Sequence, residues 1–272
     1  MADATPTMLM CRPTYYMIAY EINPWMSLKR QVNAQRAMMQ WTRLYRLLTQ
    51  RLKVKVRLLP PHPSVPDLVF TANAGLVAGR TFIRSRFRYP QRQREEPIVE
   101  RYFKRAGFRV MTLSPRYHFE GEGDALWMRD TLLFGFRFRS DAPAHEELAQ
   151  KLKARVLPIE LSDRRFYHLD TCFAPLDART ALWFPNAFDR YGRKVIEHLV
   201  ADPIAVSEAD AKRFACNAIT LPPPHRAVVM QAGASSSIKH QLNRRRFDLL
   251  PIDLSEFLKA GGSAKCLILQ LN

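Results

Sequence analysis

Five helix-forming segments follow one another along this chain at intervals of about fifty residues, each set between strand-like runs. The clearest is Leu28–Leu52, where Ala34, Met38, Trp41, Leu44, Leu48 and Leu52 recur every three or four positions and arginines fill the opposite face. Further helices are predicted over Glu95–Ala106 (stopped by Gly107), Ala142–Ala154, Asn186–Leu199 and Ser235–Arg246. Strands are predicted at Tyr15–Tyr20, Val54–Leu59, Phe108–Leu113, Val156–Glu160, Phe166–Phe173, Thr180–Phe184, Pro203–Val206, Cys216–Leu221, Ala227–Gln231 and Asp248–Ile252. Two short strands are expected within Leu68–Ala78, around Asn73-Ala74-Gly75, and a hairpin joins Asp124–Met128 to Thr131–Phe136 across Arg129-Asp130. The last strand, Cys266–Leu271, follows a long loop, so it is expected to return beside the first and close a pseudo-symmetric α/β ring without free sheet edges. No Gly/Ser linker divides the chain, and residues 1–272 are read as one domain.

Composition narrows the class. With 47% hydrophobic residues over 272, a large core is within reach, and no run is long and apolar enough for a membrane helix. Met1–Pro13 lacks the apolar stretch of a secretory leader. Cys11, Cys172, Cys216 and Cys266 stand far apart with no C-x-x-C pair, which argues against a zinc ribbon or a disulfide scaffold and fits a reducing, cytoplasmic setting. The formal charge of +17 raises nucleic acid as a partner. The basic residues are spread along the chain without the interleaved aromatics of an RNA-binding sheet, so an arginine-rich solvated surface is the reading adopted, and nucleic acid is not expected as a partner. Oligomeric state is left open.

Four segments place polar residues directly beside apolar runs: Asp67 to Gly75, Phe119-Glu120-Gly121-Glu122-Gly123-Asp124, Tyr167-His168-Leu169-Asp170-Thr171 and Gly261-Gly262-Ser263-Ala264-Lys265-Cys266. In a closed ring such strand ends converge on one opening. A Cys, a His and carboxylates meeting there supply a nucleophile, a proton shuttle and orienting groups. The two glycines permit a sharp turn or close approach, and Lys265 beside Cys266 is expected to lower the thiol pKa. Taken singly, each residue also has a plain structural role: Cys266 as a small buried hydrophobe, His168 as a satisfied core histidine, Asp170 as a backbone-bonding side chain. Serine-hydrolase, P-loop and H-E-x-x-H signatures are absent, and no metal or other cofactor is expected.

Together, Val69-Phe70-Thr71-Ala72-Asn73-Ala74-Gly75, the Glu120 segment, His168-Leu169-Asp170-Thr171 and the Cys266 segment resemble the guanidino-group modifying enzymes, the pentein superfamily, nearly end to end. The resemblance implies a five-bladed α/β propeller of ββαβ units. It implies Cys266 as nucleophile on the guanidinium carbon, His168 as acid and then base, and Glu120 as a partner of guanidinium and proton. Asp170 would be a second carboxylate gripping the guanidinium nitrogens. Arg92 and Arg139 would recognise a substrate carboxylate, and Asn23 would line the pocket. Deiminases and amidinotransferases place Asp where this chain has Asn73, a residue that both donates and accepts but carries no charge. That segment is similar to arginine dihydrolases, which implies hydrolysis of arginine to ornithine, ammonia and carbon dioxide. The alternatives are dimethylarginine dimethylaminohydrolase, arginine deiminase or amidinotransferase activity and, from another class, a non-catalytic nucleic-acid-binding scaffold. The Glu-Gly-Glu-Gly-Asp spacing is one residue longer than the deiminase pattern, which leaves Glu122 and Asp124 without assigned roles.

Overall fold

A computed structural model describes residues 5–272; residues 1–4, part of the stretch read for a leader, lie outside the described residues. Five three-stranded sheets stand around a common axis. Four have the same plan. In the second, Gly75–Ala78 pairs antiparallel with Thr81–Arg84, which pairs in parallel with Arg109–Met111. The third uses Ala125–Met128, Thr131–Phe136 and Arg155–Glu160. The fourth uses Phe173–Pro175, Thr180–Trp183 and Asp202–Ala205, and the fifth Ile219–Leu221, Ala227–Gln231 and Asp248–Ile252. A parallel pair needs a crossover. Helices Glu96–Arg105, Ala144–Leu152, Arg190–Leu199 and Ser236–Arg244 supply it and pack on the outside.

The first sheet closes the ring. Thr7–Cys11 pairs in parallel with Lys55–Leu59 across helix Ala34–Arg46, and its antiparallel neighbour is Leu269–Gln270 from the far end of the chain. The final strand returns to the start of the chain as expected, but it pairs with Thr7–Cys11, which the sequence did not mark as a strand, and not with the predicted first strand Tyr15–Tyr20. The hairpin across Arg129-Asp130 is observed.

Several expectations shift. Tyr15–Tyr20 alternates between exposed and buried as a strand would, yet has no strand partner. Its tyrosines are used for packing: Tyr16 stacks on Phe257 at 5.1 Å, and Tyr20 donates to Asp67 Oδ2 at 2.9 Å. The long helix begins only at Ala34, capped by Asn33, whose side chain accepts from Arg36 N at 2.9 Å, and it ends in a widened turn over Leu47–Arg51. The preceding Leu28 is held off the helix by the Glu21 carboxylate. Leu68–Phe70, Phe166–Asp170 and Cys266 are not strands but single turns and connecting loops. Their polar side chains are buried, and the tight turns free backbone N–H groups that a ladder would consume. Short helices at Pro90–Gln93, Glu208–Lys212 and Ser255–Leu258 carry too little pattern to be read.

Candidate active site

A single turn precedes the innermost strand of four sheets: Thr71–Ala74, Gly121–Gly123, Leu169–Thr171 and Lys265–Leu267. Counting back from each inner strand, the third residue is Glu122, Asp170 and Cys266 in three blades; the fifth is Glu120 and His168 in two. Equivalent positions of unrelated sequence thus deliver the chemical groups to one end of the axis. Of these, Cys266 lines a cavity of about 260 Å³, counting space open to solvent, together with Asn23, Asp67, Asn73, Arg92 and Arg139 among others.

The thiol of Cys266 donates to Asp170 Oδ2 at 3.2 Å, while Asn217 Nδ2 donates to the sulfur at 3.0 Å. Asn217 also holds the loop: its Oδ1 accepts from Ser263 N and Cys266 N, both at 3.1 Å. Gly261 takes φ +80°, and a Cβ on Gly262 would lie 2.5 Å from the Phe70 ring, so both glycines are required where the sequence placed them. Asp170 Oδ1 is buried with no hydrogen-bond partner. An orphaned buried acceptor beside a sulfur is suited to a ligand N–H. Burial pushes the Asp170 carboxyl up to about 6, with the Lys265 charge pulling the other way.

The thiol pKa is raised, not lowered as expected, and Lys265 is not among its main influences. The lysine ammonium is turned away and donates to Glu122 Oε2 at 2.7 Å. Burial first, and the Asp170 charge second, raise the Cys266 thiol well above its ordinary value. The free protein therefore stores a protonated sulfur. Iodoacetamide is expected to label Cys266 more slowly than an unhindered cysteine at about pH 7.5, and to gain rate as pH rises past the ordinary thiol range. Intact mass against pH reads this; full labelling within minutes at neutral pH would contradict it.

His168 and Glu120 form the second unit. Nε2 of the ring bonds Glu120 Oε2 at 2.8 Å, which puts the proton on Nε2 and leaves Nδ1 as acceptor, 3.5 Å from Asn73 Nδ2. Gly123 permits that approach, since a Cβ there would lie 2.3 Å from Asn73 Nδ2. Burial pushes the imidazole down to about 4 against the pull of Glu120, so the ring is neutral at pH 7. Burial, the largest single influence, would raise Glu120, but Arg139, the His168 hydrogen bond and Arg92 together outweigh it and hold the carboxyl well below the usual range. The neutral ring contributes only a hydrogen bond, and the two arginines supply the charge.

Arg139 is sandwiched between Tyr89 and Tyr167, its guanidinium carbon 4.8 and 4.6 Å from the ring centroids. It donates to Glu120 Oε2 at 3.1 Å and to the Ile22 carbonyl at 3.0 Å, which leaves donors over for a ligand. Arg92 is more committed. Nε and Nη2 grip Glu95 at 2.7 and 2.9 Å, and Nη1 reaches Asn73 Oδ1 at 2.8 Å. Arg92→Ala leaves Glu95 buried without its partner and is expected to cost about 3–5 kcal/mol of stability. Urea unfolding checks it, and a loss below about 1 kcal/mol would refute the pairing as structural. Asn23 lines the cavity, but its side chain is bound locally, donating to the Ala260 carbonyl and accepting from Trp25 N.

This geometry has close counterparts. The family model described as N,N dimethylarginine dimethylhydrolase, eukaryotic, matches residues 19–272. The chain belongs to this family. It is 37% identical to the N(G),N(G)-dimethylarginine dimethylaminohydrolase of Mycobacterium tuberculosis, over 97% of this chain and 85% of that protein. It is 44% identical to the bifunctional arginine dihydrolase/ornithine cyclodeaminase AgrE of Nostoc, over 97% of this chain but only 37% of that much longer protein. Among solved structures, the N-terminal domain of ArgZ, a substrate-bound mutant described as an arginine dihydrolase of cyanobacteria, superposes with a TM-score of 0.93 at 41% identity, covering 98% of each chain. The fold is thus the five-bladed α/β propeller of the guanidino-modifying superfamily.

The cavity brings together Cys266, Asn73, Arg92 and Arg139, with Asp170 bound to the thiol and His168 and Glu120 one contact behind. Glu120 faces His168 and Arg139, and its other oxygen accepts from Arg88 N at 3.1 Å. Glu120 is not among the residues that line the cavity, so its role as a guanidinium partner stays what the resemblance implies. Glu122 and Asp124, unassigned from sequence, are internal braces: Glu122 for Lys265, Asp124 for Ser140 Oγ and Leu169 N. Two groups escaped the sequence. Asp67 contributes a buried carboxylate with an unpartnered Oδ1 to the cavity, and the Asp67-Leu68-Val69-Phe70 stretch contained the signal. Asn217 lies in an apolar stretch that reads as strand, and no signal marked it.

Proposed function

We propose that residues 1–272 form one catalytic unit, a cysteine hydrolase that converts arginine to ornithine, two ammonia and carbon dioxide. The observation that carries this is the Cys266 thiol hydrogen-bonded to Asp170, whose other oxygen is buried without a partner. A planar cation with N–H donors at fixed spacing suits that oxygen and the neighbouring Asp67. Its arrival brings positive charge beside the sulfur and offsets the burial that keeps the thiol protonated. The thiol proton passes to the neutral His168. Sulfur then adds to the guanidinium carbon, and the departing amine takes the proton from the imidazole. Water, deprotonated by the same ring, adds to the thioether-bound carbon and releases either a ureido product or, after loss of a second ammonia and addition of a second water, an N-carboxylate that sheds carbon dioxide. Glu120 orients the ring. Arg139, with donors to spare, is the better placed of the two arginines for a substrate carboxylate.

The dihydrolase form is favoured by Asn73, an uncharged donor and acceptor next to His168 that suits the neutral ureido stage. The similar AgrE and ArgZ proteins bear the name arginine dihydrolase. Incubation of the purified protein with arginine and, separately, with dimethylarginine, read by mass spectrometry and ammonia assay, tests the reading. Ornithine with two ammonia per arginine supports it. Citrulline as the end product, or turnover of dimethylarginine alone, overturns the dihydrolase form; no turnover of any guanidino compound overturns the chemistry.

A further inference from the structure

The four hairpins that join inner to middle strands all turn at the end of the axis opposite Cys266, and three of them, around Arg129, Asp177 and Pro222, frame a second recess of about 1200 Å³, counting space open to solvent. We propose that this recess is a second ligand site, for a small organic anion with a flat apolar body.

Its walls are apolar and aromatic, with Trp127, Phe173, Phe247 and Pro222. Cations punctuate them. Arg129 sits exposed on a hairpin tip and makes no side-chain hydrogen bond or ion pair among the described residues. Arg226 stacks on Phe247 at 4.6 Å, and its Nε is buried with no acceptor. On the floor lies Lys265, 7% exposed, with one hydrogen bond, to Glu122. An ammonium has three donors, so two are free. The lining carboxylate Asp177 is already bound by Arg226 at 3.3 Å. A few placed polar groups in an otherwise apolar recess are the make-up of a small-molecule site.

The topology also gathers the chain's charge around this mouth. In four sheets the middle strand starts at a hairpin tip, and in all five the outer strand parallel to it starts alongside, as in the pairs Thr81 with Arg109, Thr131 with Arg155 and Thr7 with Lys55. Exposed Arg80 and Arg129 on two tips therefore stand near exposed Arg109 and Arg155, exposed Lys55 lies beside Thr7, and exposed Arg179 stands beside Asp202. Asp202 and Asp248 on the same face are bound by Arg245 and Arg51. A predominantly basic collar, interrupted by the exposed Asp130 beside Arg129, surrounds a low-dielectric recess and draws anions in. The exposed large hydrophobics, Tyr15, Met17, Leu28, Met39 and Tyr191, lie on none of these tips or strand starts. Apolar contact on this face is offered inside the recess, which favours a small ligand over a broad docking partner.

The probe is 1-anilinonaphthalene-8-sulfonate, an aromatic anion, followed by its emission on excitation of tryptophan and by titration calorimetry. One saturable site per chain is expected, weaker at high salt and indifferent to saturating arginine. Arg129→Glu, a change at an exposed and unpaired side chain, is expected to weaken binding about tenfold. Trp127→Phe should remove most of the energy transfer while leaving the calorimetric affinity within a factor of about two. Circular dichroism of both variants confirms folding. Absence of saturable binding, equal binding by Arg129→Glu, or displacement of the probe by arginine would each overturn the proposal. None of these readouts depends on whether the cysteine site turns over.

Discussion

Cys266→Ala is expected to lower the turnover of arginine by about 10⁴-fold or more while arginine still binds. The sulfur is the strongest nucleophile among the described residues that line the cavity, and its neighbours hold their positions by other bonds. Asn217 keeps its bonds to the Ser263 and Cys266 backbone N–H groups, and its Nδ2 keeps the Asp170 carbonyl at 2.9 Å. Asp170 loses one donor and gains freedom to bind the cation with both oxygens. Single-turnover mass spectrometry should show neither ammonia nor a covalent adduct, and calorimetry should show arginine binding no weaker than about threefold below the parent. Retention of a tenth of the parent rate would remove the nucleophile from the account.

Asn73→Asp is expected to move the end product from ornithine to citrulline. Asn73 accepts from Arg92 Nη1 at 2.8 Å, and an Asp would keep that bond, so the fold should be preserved. Its amide nitrogen faces His168 Nδ1, and there the exchange replaces a donor by an anion. A carboxylate favours the cationic guanidinium and the first hydrolysis. It has no proton for the oxygen of the neutral ureido stage and repels the electron density that builds there. Quantifying citrulline and ornithine from one digest gives the partition. A shift of more than about tenfold towards citrulline is expected, since charged hydrogen bonds are worth about 1.5–3 kcal/mol. An unchanged ratio would mean that Asn73 only fastens Arg92.

The residues legible from sequence are those whose chemistry is rare and whose spacing is short. His168 and Asp170 sit two apart, Glu120 lies between Phe119 and Gly121, and Cys266 follows a glycine pair; each reaches the same end of the ring. The turns that carry His168, Asp170 and Cys266 read as strands in the sequence. Alternating apolar residues such as Leu169 and Phe173, or Leu267 and Leu269, give a strand pattern, while the buried carboxylates and amides between them demand backbone donors that only a turn provides. Lys265 departs from expectation for a related reason. Adjacency in sequence places its backbone beside Cys266, but successive side chains leave a turn in different directions, and the ammonium meets Glu122 instead. Asn217 has no charge and no motif, so nothing distinguishes it until its amide is seen bridging the Cys266 loop to Asp170.

The five longer helices, the return of the chain's end to its start, and the thiol, imidazole and carboxylates as candidate groups follow from periodicity and residue type, which are properties of the linear chain. The protonation of the sulfur, the service of Arg139 to Glu120 and the gathering of basic residues at the far mouth do not. They depend on burial and on distances between residues from different blades, and electrostatic energy in a low-dielectric interior changes with each ångström of separation. Only the folded ring specifies those distances.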